Sequence, residues 1–164
     1  MGNRISLITI LLLTLDASVH AGEATITLPN STSQTSLPTV PLDPNALADA
    51  LRESNQFLAL LTGGKFSQCY DLLEPLAKAQ LSKEQWVKEA TTLLSPLGAR
   101  QSAEFKIAIA SETMPGAPPG HYISIGLLTT FARGRVGETI TLLNRTGRWQ
   151  VIGYHFQKAM QGAT

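Results

Sequence analysis

Between Phe105 and Phe156 the chain carries four strand-like runs punctuated by turn residues, and this stretch limits the possible folds more than any other feature. The last two runs close over Arg145, Thr146 and Gly147 and continue as Trp149-Gln150-Val151-Ile152-Gly153-Tyr154-His155-Phe156. Strands are expected at roughly 100 to 111, 121 to 131, 136 to 144 and 148 to 157. A three-residue hairpin with Gly147 in the left-handed region pairs Leu142 with Gln150, Ile140 with Ile152 and Glu138 with Tyr154. A four-residue loop from Ala132 to Arg135 pairs Phe131 with Val136 and Leu127 with Ile140. Both registers turn Ile123, Ile125, Leu127, Phe131, Val136, Ile140, Leu142, Ile152, Tyr154 and Phe156 to one side. A slip of one residue would scatter that set over both faces. Phe105, Ile107 and Ile109 are expected to complete the apolar floor.

Helices come before every strand. Asp43 caps the first, Pro44 occupies its first turn, where a missing N–H costs nothing, and Gly63-Gly64 ends it. Leu47, Leu51, Leu58 and Leu61 form its apolar stripe, joined by Ala50 and Phe57. A short second helix carries Phe66, Cys69, Tyr70 and Leu73 and stops before Pro75. Ser82 with Gln85 is a capping-box pair opening a third, which buries Trp86, Ala90 and Leu93 or Leu94 and ends before Pro96. Helices followed by a run of strands give an α+β class, because crossover parallel units require alternation. Strands of this length coil, so the expected architecture is helices packed on a curved four-stranded antiparallel meander, a cone with a pocket at its open end.

The amino terminus reads as an address. Arg4 is followed by an apolar run from Ile5 to Leu15, and Val19-His20-Ala21 fits the positions that signal peptidase reads. As a helix the run would be about 16 Å long, half the thickness of a bilayer core, so a cleaved signal at residues 1–21 is expected and not a stable membrane anchor. Cys69 lies too far downstream to be a lipid-modified cleavage site. The mature protein is therefore expected in the periplasm or secreted. Residues 22–43 are rich in Ser, Thr and Pro and read as a disordered linker, residues 44–158 as one domain and residues 159–164 as a flexible tail.

Charge narrows the partners. The net charge is +1, and Arg133 with Arg135 sits at the opposite end of the strands from Arg145 with Arg148. Strands of roughly 30 Å keep these two groups several screening lengths apart, so no basic patch for nucleic acid forms. One cysteine makes no internal disulfide, and stability must come from the core.

Matching residues then carry a resemblance. They are Gln85-Trp86, Leu97-Gly98, Pro115-Gly116-Ala117-Pro118, Gly120 with Tyr122, Thr130-Phe131-Ala132, Glu138-Thr139, Gly147-Arg148-Trp149 and Gly153-Tyr154. On these the segment from Phe57 to Gln157 resembles the bacterial domain of unknown function 4019, of the cystatin-like, nuclear-transport-factor-2-like superfamily. Cys69-Tyr70 stands where that family carries Trp, and Pro119 and His121 stand where acidic residues are expected. The resemblance implies the cone-like fold. The family has no settled activity, so no catalytic role carries over.

Two residues invite chemistry. The register sets Glu138 on the apolar face opposite Tyr154 and Thr129. Burial would suit Glu138 to general-base work, whereas a hydroxyl donated by Tyr154 would make it a structural carboxylate. His121, His155 and Cys69 come from separate elements without ligand spacing, so no metal or cofactor is expected and Cys69 reads as a small core hydrophobe. Asp71 and Glu74 read as solvated.

The outer sheet face is expected to carry Thr139, Thr141, Leu143, Trp149, Val151 and His155, with Thr129 counted among its threonines. Leu143, Trp149 and Val151 are uncomfortable in water, and they imply either a partner or homodimer surface, or a covering terminal segment. The Pro115 to Gly120 loop is a rigid hairpin connection. No phosphate loop, nucleophile elbow or zinc-helix motif is present. The sequence thus describes an exported binding or interaction module for a small molecule or protein. The competing class is an isomerase- or hydrolase-type pocket enzyme using Glu138 and Tyr154, and the interaction residues are Glu138, Tyr154, Trp149 and His155.

Overall fold

A computed structural model of the protein describes residues 39–158. The expected signal, the linker up to residue 38 and the tail from residue 159 lie outside the described residues. Helix α1 (Pro44–Thr62) begins where Asp43 Oδ1 accepts the Asn45 N–H at 2.9 Å, and Gly63 with left-handed Gly64 (φ 67°) ends it. Its Ala50, Phe57, Leu58 and Leu61 are buried, a helical stripe facing the sheet.

Helix α2 (Phe66–Asp71) is followed by α3 (Pro75–Gln80), an element the sequence reading did not separate. Pro75 starts this helix as well as stopping the previous one. Glu74 caps it, accepting the Leu76 N–H at 2.5 Å, and is buried beside Arg145 Nη1 at 3.5 Å, so it is not the solvated residue expected. Asp71 is exposed, paired with Lys83 at 2.7 Å. Helix α4 (Lys83–Leu94) opens with the expected reciprocal bonds between Ser82 and Gln85, at 3.2 and 3.0 Å. Trp86 sits at the centre of the helical layer, its Nε1–H donated to the Phe66 carbonyl at 2.8 Å and its ring 5.9 Å from that of Phe57. No helix among the described residues is long and apolar enough to cross a membrane.

The sheet is an antiparallel meander in which each strand lies beside its neighbour in the chain: β1 (Thr39–Val40), β2 (Arg100–Ser111), β3 (His121–Phe131), β4 (Gly134–Asn144) and β5 (Trp149–Lys158). Among the described residues this sheet has five strands where four were expected. Thr39 and Val40, assigned to the linker, pair with Ser111 and Ala110.

Two connections differ from the expectation, and the register with them. The β3–β4 connection uses two residues, Ala132 and Arg133, so Phe131 faces Gly134 and Leu127 faces Glu138. The β4–β5 loop uses four, Arg145 to Arg148, with Gly147 left-handed (φ 83°) and its N–H donated to Asn144 Oδ1 at 2.8 Å. Together with one extra residue in β5, this longer loop sets Glu138 opposite Phe156 and Ile140 opposite Tyr154. At Leu127, Phe131, Ile140 and Glu138 each shift totals two residues, so these side chains, Tyr154 and Phe156 keep the expected inner face. Thr129, paired with Val136, belongs to this inner face and is fully buried.

Bulges account for the faces that were misassigned. In β5 an extra residue lies between the pairs Thr141↔Gly153 and Leu142↔Val151, which turns Val151 and Trp149 inward. Both are buried, as is Leu143, which lies against Gly120. The homodimer surface expected from Leu143, Trp149 and Val151 is thus not an exposed face. In β2, Lys106 is extra between the pairs Phe105↔Leu127 and Ile107↔Gly126. That bulge sends Ile107 and Ile109 to the outer face and leaves Ala108 and Ala110 inside. Phe105, Ile107 and Ile109, expected as floor, are 48%, 53% and 40% exposed.

Candidate functional site

The open end of the cone is built where the helical layer hands the chain to the sheet. After a 3₁₀ turn (Ser95–Leu97), Gly98 adopts φ 74° and turns the backbone into β2. The tip of the β3–β4 hairpin clamps this junction, since the N–H groups of Ala132 and Arg133 are donated to the carbonyls of Ala99 and Leu97 at 2.8 and 3.0 Å. Arg100, the next residue, is thereby aimed across the inner face of β3 toward β4.

There it meets Glu138. Arg100 Nη1 donates to Oε1 at 3.2 Å and Nη2 donates to Oε2 at 2.5 Å, a fork-to-fork pair. Nη2 also donates to Thr129 Oγ1 at 3.1 Å, and the Thr129 hydroxyl in turn donates to Glu138 Oε2. The Tyr154 hydroxyl donates to Oε1 at 2.5 Å. Each carboxylate oxygen thus accepts two hydrogen bonds, which fills its lone pairs. The side chains of Arg100 and Glu138 are 9% and 0% exposed.

Burial, then the charge of Glu138 and the bond to it, push the Tyr154 phenol well above the usual tyrosine range. It therefore keeps its proton at physiological pH. Its ring packs edge-on against Phe57 at 5.7 Å, so the network is locked to the core of α1.

A cavity of about 130 Å³ lies over this network. Leu61, Phe66, Leu94 and Phe131 give it apolar walls, and Arg100 and Tyr154 give it a polar edge. The guanidinium carbon is 5.8 Å from the centre of the Phe131 ring. Arginine carries five N–H donors. Nε–H and the second N–H of Nη1 have no acceptor among the described residues beyond the bonds given above. Nε is also not fully enclosed, because the buried side-chain polar atom without a partner among the described residues is Ser54 Oγ.

Of the residues singled out in the sequence, Glu138 and Tyr154 come together. Trp149 and His155 do not join them. Trp149 lines a second cavity, with Val40, Ala46, Ala110 and Ile123, beside the start of α1. His155, opposite Thr139, is half-buried on the outer face. Exposed His121 starts β3, and Cys69 is buried on α2 with its thiol pushed up to about 12 by desolvation. No group of three metal-ligating side chains is gathered among the described residues. Sequence reading missed Arg100 altogether. Alternation along β3 already puts Thr129 in step with Ile125, Leu127 and Phe131.

Among curated proteins, none matches the chain. Among solved structures, Aln2 from a Streptomyces species is similar at 12% identity and a TM-score of 0.47, over 74% of this chain and 93% of that one. The model of the family described as "Protein of unknown function (DUF4019)" matches residues 53–154, a span that contains Arg100, Thr129, Glu138 and Tyr154. That match covers more than half of the chain, and the protein belongs to the DUF4019 family.

Proposed function

We propose that the protein is an exported small-molecule binding module whose site is the cavity at the mouth of the cone. The observation that carries this reading is the closed state of Glu138. Both of its oxygens are taken by Arg100, Thr129 and Tyr154, and the Tyr154 proton is committed to the same carboxylate. A general base needs a free lone pair facing the substrate. Glu138 offers none, so it acts as the fixed floor that orients Arg100, and the pocket-enzyme alternative loses its acid–base pair. The export half of the reading rests on Arg4, the Ile5 to Leu15 run and Val19-His20-Ala21.

Size and charge describe the ligand. An engineered apolar cavity of about 150 Å³ takes up benzene, so a cavity of about 130 Å³ suits a single ring or a short branched chain. The Arg100–Glu138 pair is neutral as a unit, and a second carboxylate beside it would face Glu138. The remaining guanidinium donors therefore favour an uncharged acceptor such as a carbonyl oxygen.

Thermal shift and proton–nitrogen NMR titration with acetophenone, toluene and benzoate test this. Acetophenone should bind best, with shifts confined to residues around Arg100 and Phe131. Ala99→Trp, which fills the exposed rim without entering the core, should abolish binding at unchanged folding. Failure of all three compounds, or binding that survives Ala99→Trp, would remove the proposal.

A further inference from the structure

A second cavity, of about 400 Å³, opens at the far end of the sheet from Arg100, where the chain passes from β1 into α1. One strand length, roughly 30 Å, separates the two sites. Small side chains leave this space open. Ala46, one helical turn before buried Ala50, and Ala110, near the end of β2, both line it, and neither is long enough to fill it. The bulge in β5 turns Trp149 inward at the same place, where it forms an apolar wall with Val40 and Ile123.

Trp149 distinguishes the cavity from a packing gap. The residue is 7% exposed, yet its indole N–H has no acceptor among the described residues. A buried indole N–H ordinarily finds one, as that of Trp86 does on the Phe66 carbonyl. Nor is the Trp149 Nε1 sealed in the core, because the enclosed side-chain polar atom without a partner among the described residues is Ser54 Oγ. The open space at Trp149 is this cavity, which therefore offers the N–H to an oxygen of a ligand.

The charge of the rim selects the rest of that ligand. Asp43 and Asp49 line the cavity, and no lysine or arginine does among the described residues. Asp43 Oδ1 accepts the Asn45 N–H and Asp49 Oδ1 accepts from Arg52 Nη1 at 2.8 Å, while the second oxygen of each carboxylate has no partner among the described residues. Arg52 does not neutralise the rim, since its Nε also lies 3.8 Å from Glu53, which leaves three carboxylates around one guanidinium. An anionic ligand is repelled here, whereas a cation is attracted by the carboxylates and by the face of an indole. We propose that this cavity binds a small organic amine with an apolar body and an oxygen acceptor, its ammonium held by Asp43 and Asp49 and its oxygen by the Trp149 N–H. The cone mouth favours an uncharged carbonyl compound, so the two sites are independent.

Proton–nitrogen NMR titration and calorimetry of the purified protein with phenylalaninol, hydrocinnamyl alcohol and hydrocinnamate test this, because the three share a ring and differ in charge. Phenylalaninol should bind most tightly and hydrocinnamate least, and phenylalaninol should move the indole N–H signal of Trp149 and not that of Trp86. Asp43→Asn combined with Asp49→Asn should weaken phenylalaninol about tenfold and leave hydrocinnamyl alcohol within about twofold. Asparagine still caps α1, so the fold is kept. Ala46→Phe, which fills the cavity from the first turn of α1, should abolish binding, whereas Ala99→Trp at the cone mouth should not change it. Each variant is checked by circular dichroism, and the paired Asn variant decides the matter alone if Ala46→Phe does not fold. A Trp149 signal that no compound moves would overturn the proposal. So would equal binding of the amine and the alcohol, or binding that survives in a folded Ala46→Phe.

Discussion

Arg100, the first residue of β2, reaches across β3 to hold Glu138 of β4 through two parallel hydrogen bonds, at 3.2 and 2.5 Å. The pair is separated by 38 positions in the chain and fixes three strands relative to one another through Thr129 between them. Removing one member of a buried ion pair strands the other in a medium that solvates it poorly. Arg100→Met should therefore cost about 3–5 kcal/mol in urea denaturation. Arg100→Met combined with Glu138→Leu should cost clearly less than the sum of the two single changes. Additive losses would mean that the two groups are not energetically coupled.

The network should also respond to alkali. Tyr154 ionises at about pH 10 in the unfolded chain and higher in the folded one, because burial and Glu138 both resist a second negative charge. The stabilisation is complete below about pH 10 and is lost as pH rises through the folded value. Tyr154→Phe should flatten this decline, leaving a residual slope from Tyr122, whose phenol is also raised by burial. At neutral pH the same variant should lose about 1–2 kcal/mol, for one donor missing from Glu138. Stability curves of the two proteins that run parallel above pH 10 would contradict the assignment.

Cys69 should behave as a core side chain. Its thiol, pushed up to about 12 by burial, should resist iodoacetamide at pH 8 in the native protein and react at once in urea. Because the folded value lies above the unfolded one, Cys69 also adds to the loss of stability as pH climbs past about 9. Rapid native-state alkylation would show that α2 opens far more often than its packing implies.

Asp71 and Glu74, three residues apart, should separate sharply on mutation. Asp71→Ala removes an exposed pair with Lys83 and should change stability by less than about 0.5 kcal/mol. Glu74→Ala removes a buried cap and the partner of Arg145, and should cost about 1–2 kcal/mol. Equal effects in thermal denaturation would argue against the capping role.

Much of the fold was legible because its signals are local. Asp43-Pro44, Gly63-Gly64 and Ser82 with Gln85 mark helix ends by hydrogen bonds made within a few residues, and each boundary is where those residues imply. The inner sheet face was legible through alternation, and an even register error leaves alternation intact. That is why Glu138 and Tyr154 could be placed on one face although their strand partners were misassigned. The bulges at Lys106 and in β5 left no mark in the sequence, and each breaks the alternation of faces between the residues on its two sides. Ile107 and Trp149 were assigned to the wrong side for this reason. Arg100 was invisible for a different one. Nothing within its neighbourhood in the chain announces a carboxylate two strands away, and only the clamp between Ala99 and Ala132 aims it there.

The meander order of the sheet bears on how the molecule comes together. Every strand from β2 to β5 pairs with its neighbour in the chain, across nine, two and four residues in turn, so the sheet can zip hairpin by hairpin with little loop entropy lost at each step. The contacts of β5 with the helical layer, Tyr154 on Phe57 and the Glu74 N–H on the Val151 carbonyl, join residues far apart in the chain. During synthesis the helices emerge first and wait uncovered for the last strand, so the final ten residues of the sheet act as the latch that completes the core.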